Sequence, residues 1–233
     1  ELVTDSPSLR RRYLDQVLFQ VDKEYARNSL SYEKGLRQRN RLLERIKEER
    51  VARSQLLFWN QLLIHSGEYI TQLREEYINF VNNFQFSMTN FQYQIEYDKS
   101  IISPVRLEEY AEEEIAAAAT LVGPHRDDFI FKVKGQEGEK ARWRDLHAFG
   151  SRGEQRLGVL WLKLCELEFI AQKTGTRPIL LLDDIFSELD EEHRKLVLKI
   201  IPNQQTIITT TDIHLVEPEL RKKIETINLS LDK

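Results

Sequence analysis

One long amphipathic seam constrains the fold of this chain more than any other feature of its sequence. Between residues 56 and 84, apolar and aromatic side chains recur in alternating steps of three and four, namely Leu56, Trp59, Leu63, Ile70, Leu73, Tyr77, Phe80 and Phe84. This spacing predicts one long helix of coiled-coil type that packs against other helices. Gly67 lies inside the seam and predicts a bend, because glycine is a poor helix former.

The residues around this seam predict a mostly helical first half. Ser6-Pro7 is typical of a helix start, and a second helix is expected from Leu30 to about Arg50. Phe91 to Tyr97 alternates with polar residues and predicts a half-buried strand. Ser103-Pro104 predicts another helix, which continues to about Leu121.

The remaining sequence alternates between strand and helix patterns. The predicted elements are a strand at 129–133, a helix from Ser151 to about Gln172, a strand at 179–182 that is buried on both faces, a helix from Asp190 to about Ile201, a strand at 206–210 and an edge strand at 224–229. We therefore predict a helical arm domain over residues 1–115 and an α/β domain over residues 116–233.

Composition excludes several classes of protein. The chain has one cysteine, Cys165, which excludes a disulfide-stapled scaffold and a multi-cysteine zinc module. The single cysteine also favours a reducing, cytoplasmic setting. No run of about 18 apolar residues occurs, so we expect no transmembrane helix and no membrane partner.

Positive charge is concentrated at the start of the chain. The whole chain has a net charge of −4, yet residues 1–60 carry 13 Lys and Arg against 9 Asp and Glu. The candidate contacts to DNA phosphates are Arg10, Arg11, Arg12, Arg37, Arg39 and Arg41. The alternative is a solvated helix face, which is the usual role of such a run of charges.

Two acids follow an apolar run at Leu180-Leu181-Leu182-Asp183-Asp184. Ligands of open α/β sheets bind at the carboxyl ends of the strands, so carboxylates at this position can hold Mg²⁺ and orient a water molecule. The alternative is a strand that simply ends in an acidic turn.

A second candidate lies at the start of a predicted helix, in Ser151-Arg152-Gly153-Glu154-Gln155. Ser151 and Glu154 have the spacing of a capping box, and a helix N-terminus with a hydroxyl and a glycine can bind an anion such as a γ-phosphate. The alternative is a well-capped helix without a ligand.

Together with Ser187-Glu188-Leu189-Asp190, these two segments resemble the second half of an ABC-type ATPase head, in which they are the signature motif, Walker B and the D-loop. Three further segments resemble the RecF family of bacterial DNA replication and repair proteins; they cover residues 6–15, 38–43 and 123–128. The resemblance covers nearly the whole chain.

The resemblance implies a fold class and a set of residue roles. The fold is α/β with a helical arm, in which a helical bundle or hairpin precedes the C-terminal lobe of an ABC-type head with a P-loop NTPase-like sheet. Asp183 would hold Mg²⁺, and Asp184 would activate water. Ser151, Arg152, Gly153, Glu154 and Gln155 would contact ATP held by a partner head, and Thr211 and Asp212 would sense its γ-phosphate.

The family function implied by the resemblance is an ATP-dependent clamp. Two heads form a homodimer around ATP, bind DNA at single-strand/double-strand junctions, and work with RecO and RecR in loading recombinase. Arg152 and Glu154 depart from the pattern, because the family usually has Gln at both positions.

A second departure is the absence of a Walker A motif from these 233 residues. In the family that lobe precedes the segment at Ser6-Pro7, so we expect a fragment that does not bind ATP tightly alone. The alternatives are a non-catalytic interaction module and another SMC-like ABC ATPase head. The helical arm argues against the latter, because a coiled coil of hundreds of residues does not fit in this length.

Overall fold

A computed structural model describes residues 2–84, 91–135, 142–188, 194, 197–198, 201–216, 218–222 and 224–229. The chain divides into two compact units, Glu1–Gly175 and Thr176–Lys233. Each unit is described by itself.

Three helices begin the first unit: α1 (Pro7–Val21), α2 (Lys23–Glu49) and α3 (Leu57–Asn83). Helices α2 and α3 pack against each other and are joined through a short 3₁₀ turn, Arg53–Leu56. The predicted long helix is confirmed. The buried residues of its seam are Leu56, Leu63, Ile70, Leu73 and Tyr77, whereas Trp59, Phe80 and Phe84 are partly buried. Gly67 lies within α3, which continues without interruption to Asn83.

The reason for Gly67 is close packing. A Cβ atom at this position would lie 2.5 Å from Cγ2 of Ile102 and 3.2 Å from Cε2 of Tyr32. Only glycine lets the α3 backbone approach these side chains, which outweighs its poor helix propensity.

A three-stranded antiparallel sheet of order β1-β2-β3 completes the core of the first unit. Its strands are β1 (Phe91–Asp98), β2 (Asp128–Gly135) and β3 (Arg144–Asp145). Tyr93 faces Val133 in the β1–β2 register, and the inward side chains join one hydrophobic cluster with those of α1, α3 and α7.

The connection between β1 and β2 differs from the prediction. Instead of one helix to Leu121, it forms α4 (Pro104–Glu109) and α5 (Ala111–Ala117), which meet at Tyr110. Tyr110 leaves the helical conformation, with φ −98° and ψ 9°, and Ala118 ends α5 with a φ of 52°.

Two helices follow β3: α6 (Leu146–Phe149) and the long α7 (Arg152–Thr174). Helix α7 packs on α1 and α3. This packing places α7 in the same compact unit as the helical arm, and that unit ends at Gly175. The boundary near residue 115 stays a prediction.

Buried charge fixes the segment that precedes β2. The Asp127 carboxylate is fully buried; it accepts hydrogen bonds from Arg74 Nη1 (2.8 Å), the Tyr97 hydroxyl (2.5 Å) and the Ser100 N–H (2.7 Å). Both carboxylate oxygens of Asp127 thus accept hydrogen bonds, as a buried charge requires. This network ties α3 to both ends of the connection between β1 and β2.

The second unit contains a two-stranded parallel sheet, β4 (Leu180–Asp183) and β5 (Thr206–Thr209), and the short helices α8 (Ile185–Glu188) and Pro218–Arg221. The expected burial of β4 on both faces is wrong, because Leu181 is 70% exposed and its neighbour Ile207 is 54% exposed. Residues 224–229 are irregular rather than an edge strand. The helix predicted to begin at Asp190 falls largely outside the described residues.

Within the described part of the chain, no helix combines the length and the apolar character needed to cross a membrane.

Candidate nucleotide and DNA sites

The first candidate site is the N-terminus of α7, which we call the signature helix. Ser151 is its N-cap: Ser151 Oγ accepts a hydrogen bond from the Glu154 N–H at 3.2 Å, and Glu154 Oε2 accepts one from the Ser151 N–H at 2.8 Å. The predicted capping box is therefore present. Ser151, Arg152 and Gly153 are exposed, whereas the Glu154 side chain folds back and is buried.

Arg144 of β3 neutralises this buried acid, a partner that the sequence analysis did not identify. Arg144 Nη2 lies 2.6 Å from Glu154 Oε1. Burial raises the pKa of Glu154, but the hydrogen bonds from the Ser151 N–H and from Arg144 lower that pKa more, to below its usual value. Glu154 is therefore an ionised, buried carboxylate that caps the Ser151 N–H instead of extending into solvent.

Gln155 fixes the chain just before the signature helix. Its Nε2 lies within 3.3–3.4 Å of the carbonyl oxygens of Leu146, His147 and Gly150. Gly153 has open space instead: a Cβ atom there would meet only Ser151 Oγ, at 4.0 Å. Because nothing in the described chain requires glycine at this position, its small size leaves room for an approaching group.

The second candidate site lies at the carboxyl end of β4. Strands β4 and β5 run parallel, with Asp183 opposite Thr209, and the Thr209 hydroxyl donates to Asp183 Oδ1 at 2.5 Å. The backbone N–H of Asp184 donates to the Thr209 carbonyl at 3.1 Å. The sequence placed Thr209 in a strand next to the acids but did not predict its direct contact with Asp183.

Asp184 turns sharply out of the strand. Its φ is 45°, in the left-handed region that Asp tolerates better than most residues. Its Oδ2 accepts a hydrogen bond from the Ser187 hydroxyl at 2.8 Å. Its Oδ1 is enclosed and has no hydrogen-bond partner among the described residues, which leaves one acceptor for a water molecule or a cation.

These oxygens fit magnesium chemically, but only in part. Mg²⁺ prefers oxygen ligands and is usually held by one or two carboxylates together with substrate phosphates. Asp183 and Asp184 supply the carboxylates, and the described residues contain no group of three or more His, Cys, Asp or Glu side chains that could hold a metal ion. Water molecules or phosphate oxygens would complete the coordination.

The other predicted nucleotide contacts have local roles or are not described. Glu188 ends α8, while Leu189 and Asp190 of the predicted D-loop lie outside the described residues. Thr211 is exposed, and Asp212 caps the following 3₁₀ turn by accepting a hydrogen bond from the His214 N–H at 2.8 Å.

The third candidate site is the set of arginines on α1 and α2. Two of these side chains, Arg39 and Arg10, are largely buried. Arg39 is 2% exposed; its guanidinium lies 2.6 Å from Glu114 Oε2 and donates to the Thr120 hydroxyl and to Asn60 Oδ1. Arg10, whose side chain is 11% exposed, makes a two-pronged ion pair with Asp128 at 2.6 and 2.9 Å. Internal partners therefore bind the guanidinium groups of both arginines in this structure, which argues against contacts from these two residues to DNA phosphates.

The remaining arginines are accessible to different degrees. Arg12 and Arg41 are exposed and have no hydrogen bond or ion pair within the described part of the chain. Arg37 makes only an exposed pair with Glu33, of a kind that contributes little stability. Arg11 is half-buried and donates to the Asp127 carbonyl at 2.9 Å, and burial together with nearby Arg74 lowers its pKa.

Comparison with known proteins gives one consistent result. A "DNA replication and repair protein RecF" from Lachnoclostridium phytofermentans is 36% identical over 234 residues, which cover 97% of this chain and 62% of the relative. A protein of the same name from Herpetosiphon aurantiacus is 36% identical over 240 residues, covering 96% of this chain and 60% of the relative. No protein-family model matches the chain.

Solved structures agree with this result. A structure described as the recombination mediator protein RecF-ATPrS in the RecFOR pathway has a TM-score of 0.81 at 33% identity, covering 93% of this chain and 61% of that one. The corresponding RecF-ATP structure has a TM-score of 0.79 at 32% identity, covering 91% and 60%.

Two statements follow from these comparisons. The predicted fold class is confirmed: the chain combines a helical arm with the α/β elements of the C-terminal lobe of an ABC-type head. The chain also spans about three fifths of the length of the relatives that it matches.

Proposed function

Since this chain belongs to the RecF family, we propose that it provides the signature helix and the Walker B acids of an ATP-dependent DNA-binding clamp that acts in DNA replication and recombinational repair. Its relatives are named as DNA replication and repair proteins, and the similar solved structures are described as RecF-ATP and RecF-ATPrS.

The observation that carries the proposal is the exposed N-terminus of α7. Ser151, Arg152 and Gly153 face solvent there, Glu154 is folded away, and Gly153 leaves space beside the Ser151 hydroxyl. Free N–H groups and the helix dipole at such an end favour a negative charge. We assign this end to the γ-phosphate of ATP held by the second head of a homodimer.

Walker B chemistry belongs to the second unit. Asp183, fixed by Thr209, would bind Mg²⁺, and Asp184, with one free carboxylate oxygen, would orient the attacking water. The bound Mg²⁺ would neutralise charge on the phosphates. Thr211 and Asp212 follow β5 and complete the proposed surface toward the γ-phosphate.

DNA is the proposed partner of the first unit. The exposed side chains of Arg12, Arg37 and Arg41 and the half-buried side chain of Arg11 supply the positive charge for phosphate contacts. The proposed DNA structure is the single-strand/double-strand junction, and the proposed protein partners are RecO and RecR in loading recombinase.

Substitution of Ser151 tests the proposal. In a complex of this chain with a RecF-family lobe that carries the Walker A motif, Ser151→Arg should abolish ATP-dependent dimerisation, because a large cation blocks close approach of the two heads. ATP binding to each Walker A lobe should survive. Sedimentation with and without ATP measures dimerisation, and nucleotide titration measures binding.

A matched control separates this role from helix capping. Ser103 caps α4 by accepting a hydrogen bond from the Arg106 N–H at 3.2 Å, so Ser103→Arg removes a comparable cap elsewhere. Loss of either cap costs about 1 kcal/mol of stability. If Ser151→Arg is only less stable and still dimerises with ATP, the proposed contact in trans is wrong.

A further inference from the structure

The signature helix contains an acid where its proposed ligand is also negative. Glu154 occupies the third position of α7, within the helical turn that is proposed to receive a phosphate. An uncompensated carboxylate there would repel the phosphate and weaken binding on the order of tenfold at the effective dielectric of a protein surface.

The structure compensates this charge from outside the helix. Arg144 lies in β3, which is paired with β2 through Val133 opposite Arg144, so its backbone is anchored to the main sheet. Its Nη2 lies 2.6 Å from Glu154 Oε1. Since Glu154 Oε2 accepts the Ser151 N–H, both carboxylate oxygens are directed into the protein.

Arg144 also holds the loop that leads into the helix. Its Nη1 donates to the Phe149 carbonyl at 3.2 Å, two residues before Ser151. The Arg144 guanidinium therefore contacts both the Phe149 carbonyl, which precedes the N-cap, and the Glu154 carboxylate, which follows it. Gln155 contacts the carbonyls of Leu146 and His147 in α6 and of Gly150 after it, and together with Arg144 it fixes the position of the Ser151 hydroxyl.

We infer that Arg144 is a positioning residue of the signature helix: by neutralising Glu154 and holding the loop at Phe149, it keeps the exposed end of α7 able to receive the γ-phosphate of ATP from a partner head. The inference rests on the proposed function. It assigns no contact between Arg144 and the nucleotide itself.

A double-mutant cycle tests this role in the complex with a Walker A lobe, with ATP-dependent association measured by sedimentation. Arg144→Gln should weaken association about tenfold, because it removes the cation that lies 2.6 Å from the Glu154 carboxylate. In a Glu154→Gln background the same substitution should weaken association less than threefold, because the charge is gone and a Gln at this position can still complete a capping box.

Lys163→Gln is the matched control, because it removes another cation that pairs with a glutamate of α7, Glu166, at 2.8 Å. It should leave association unchanged. Thermal melts of every variant separate folding from association, and Arg144→Lys, which keeps the charge, should associate more tightly than Arg144→Gln even if both are less stable.

The outcomes are distinguishable. If the wild-type complex associates with ATP but Arg144→Gln associates equally well, the role of Arg144 is overturned and the proposed function stands. A defect of equal size with and without Glu154 overturns the neutralisation of Glu154 and leaves only the contact with the Phe149 carbonyl. If the wild-type complex does not associate with ATP, the proposed function fails, and this inference fails with it.

Discussion

Arg39 and Arg41 are two residues apart on α2, yet the structure gives them different environments. Arg39 is enclosed with Glu114, Thr120 and Asn60, whereas Arg41 extends into solvent. A helix turns by about 100° per residue, so residues two apart lie on different faces. The charge pattern alone could not show which of the two is buried, because the partners of Arg39 come from distant parts of the chain.

Arg39 should therefore contribute to stability rather than to DNA binding. Arg39→Ala leaves the fully buried Glu114 without its cation, which typically costs about 3–5 kcal/mol. Urea unfolding should show this loss, and the double variant Arg39→Met/Glu114→Leu should recover much of it. Weakened DNA binding by a variant of unchanged stability would contradict the structural role.

Substitutions of Asp183 and Asp184 should have different effects when the Walker A lobe is present. Asp183→Asn should weaken Mg²⁺-dependent nucleotide binding, since it removes a metal carboxylate. Asp184→Asn should spare binding and slow hydrolysis, typically about 10²–10⁴-fold for a lost general base. Nucleotide titration and single-turnover hydrolysis distinguish the two steps. Asp98→Asn, at the exposed end of β1, is the control, and normal hydrolysis by both site variants would refute these roles.

At the scale of elements, patterning predicted the structure where one periodicity extends over many residues. Helix α3, strands β1 and β2, and α7 with its capping box all agree with the sequence analysis. The helix expected from Ser103 to Leu121 is interrupted at Tyr110, although residues 111–119 contain good helix formers. Glu114 pairs with Arg39 and accepts a hydrogen bond from the Leu121 N–H at 2.8 Å. Helix propensity does not account for such tertiary contacts.

Strand β4 shows a second limit of prediction from sequence patterns. A run of Ile and Leu predicts burial on both faces, but in the described structure only one face of the β4–β5 pair is covered. Likewise, the spacing predicted the acids at the end of β4 but not the Thr209 hydroxyl on Asp183, because side-chain contact depends on which strand pairs with it. Arg144 carried no local signal, since its partner lies ten residues away in another element.

The exposed face of α2 should contribute to DNA binding through phosphates. Replacing Arg37 and Arg41 with Ala should lower affinity evenly across duplex sequences and flatten the dependence on salt by about one unit of slope per lost contact. Fluorescence anisotropy at several salt concentrations measures both quantities. Lys173→Ala, which removes an exposed cation on α7, should leave the slope unchanged. An unchanged slope for the Arg37/Arg41 variant would assign these residues to a solvated surface.

At the scale of the whole chain, the two nucleotide-related sites belong to different compact units. Ser151 and Arg144 are built into the first unit, which has a large common core of helices and sheet. Asp183 and Asp184 belong to the second unit, whose described sheet consists of two strands.

The exposed face of that two-stranded sheet has a consequence for amide hydrogen exchange. Two strands alone are marginally stable in water, and segments with little apolar cover open more readily than a packed core. The backbone amides of residues 180–183 and 206–209 should therefore exchange with deuterium sooner than those at the centre of β1 and β2. Mass spectrometry of the isolated chain measures this difference, and equal protection of both sheets would show that the second unit opens only with the first.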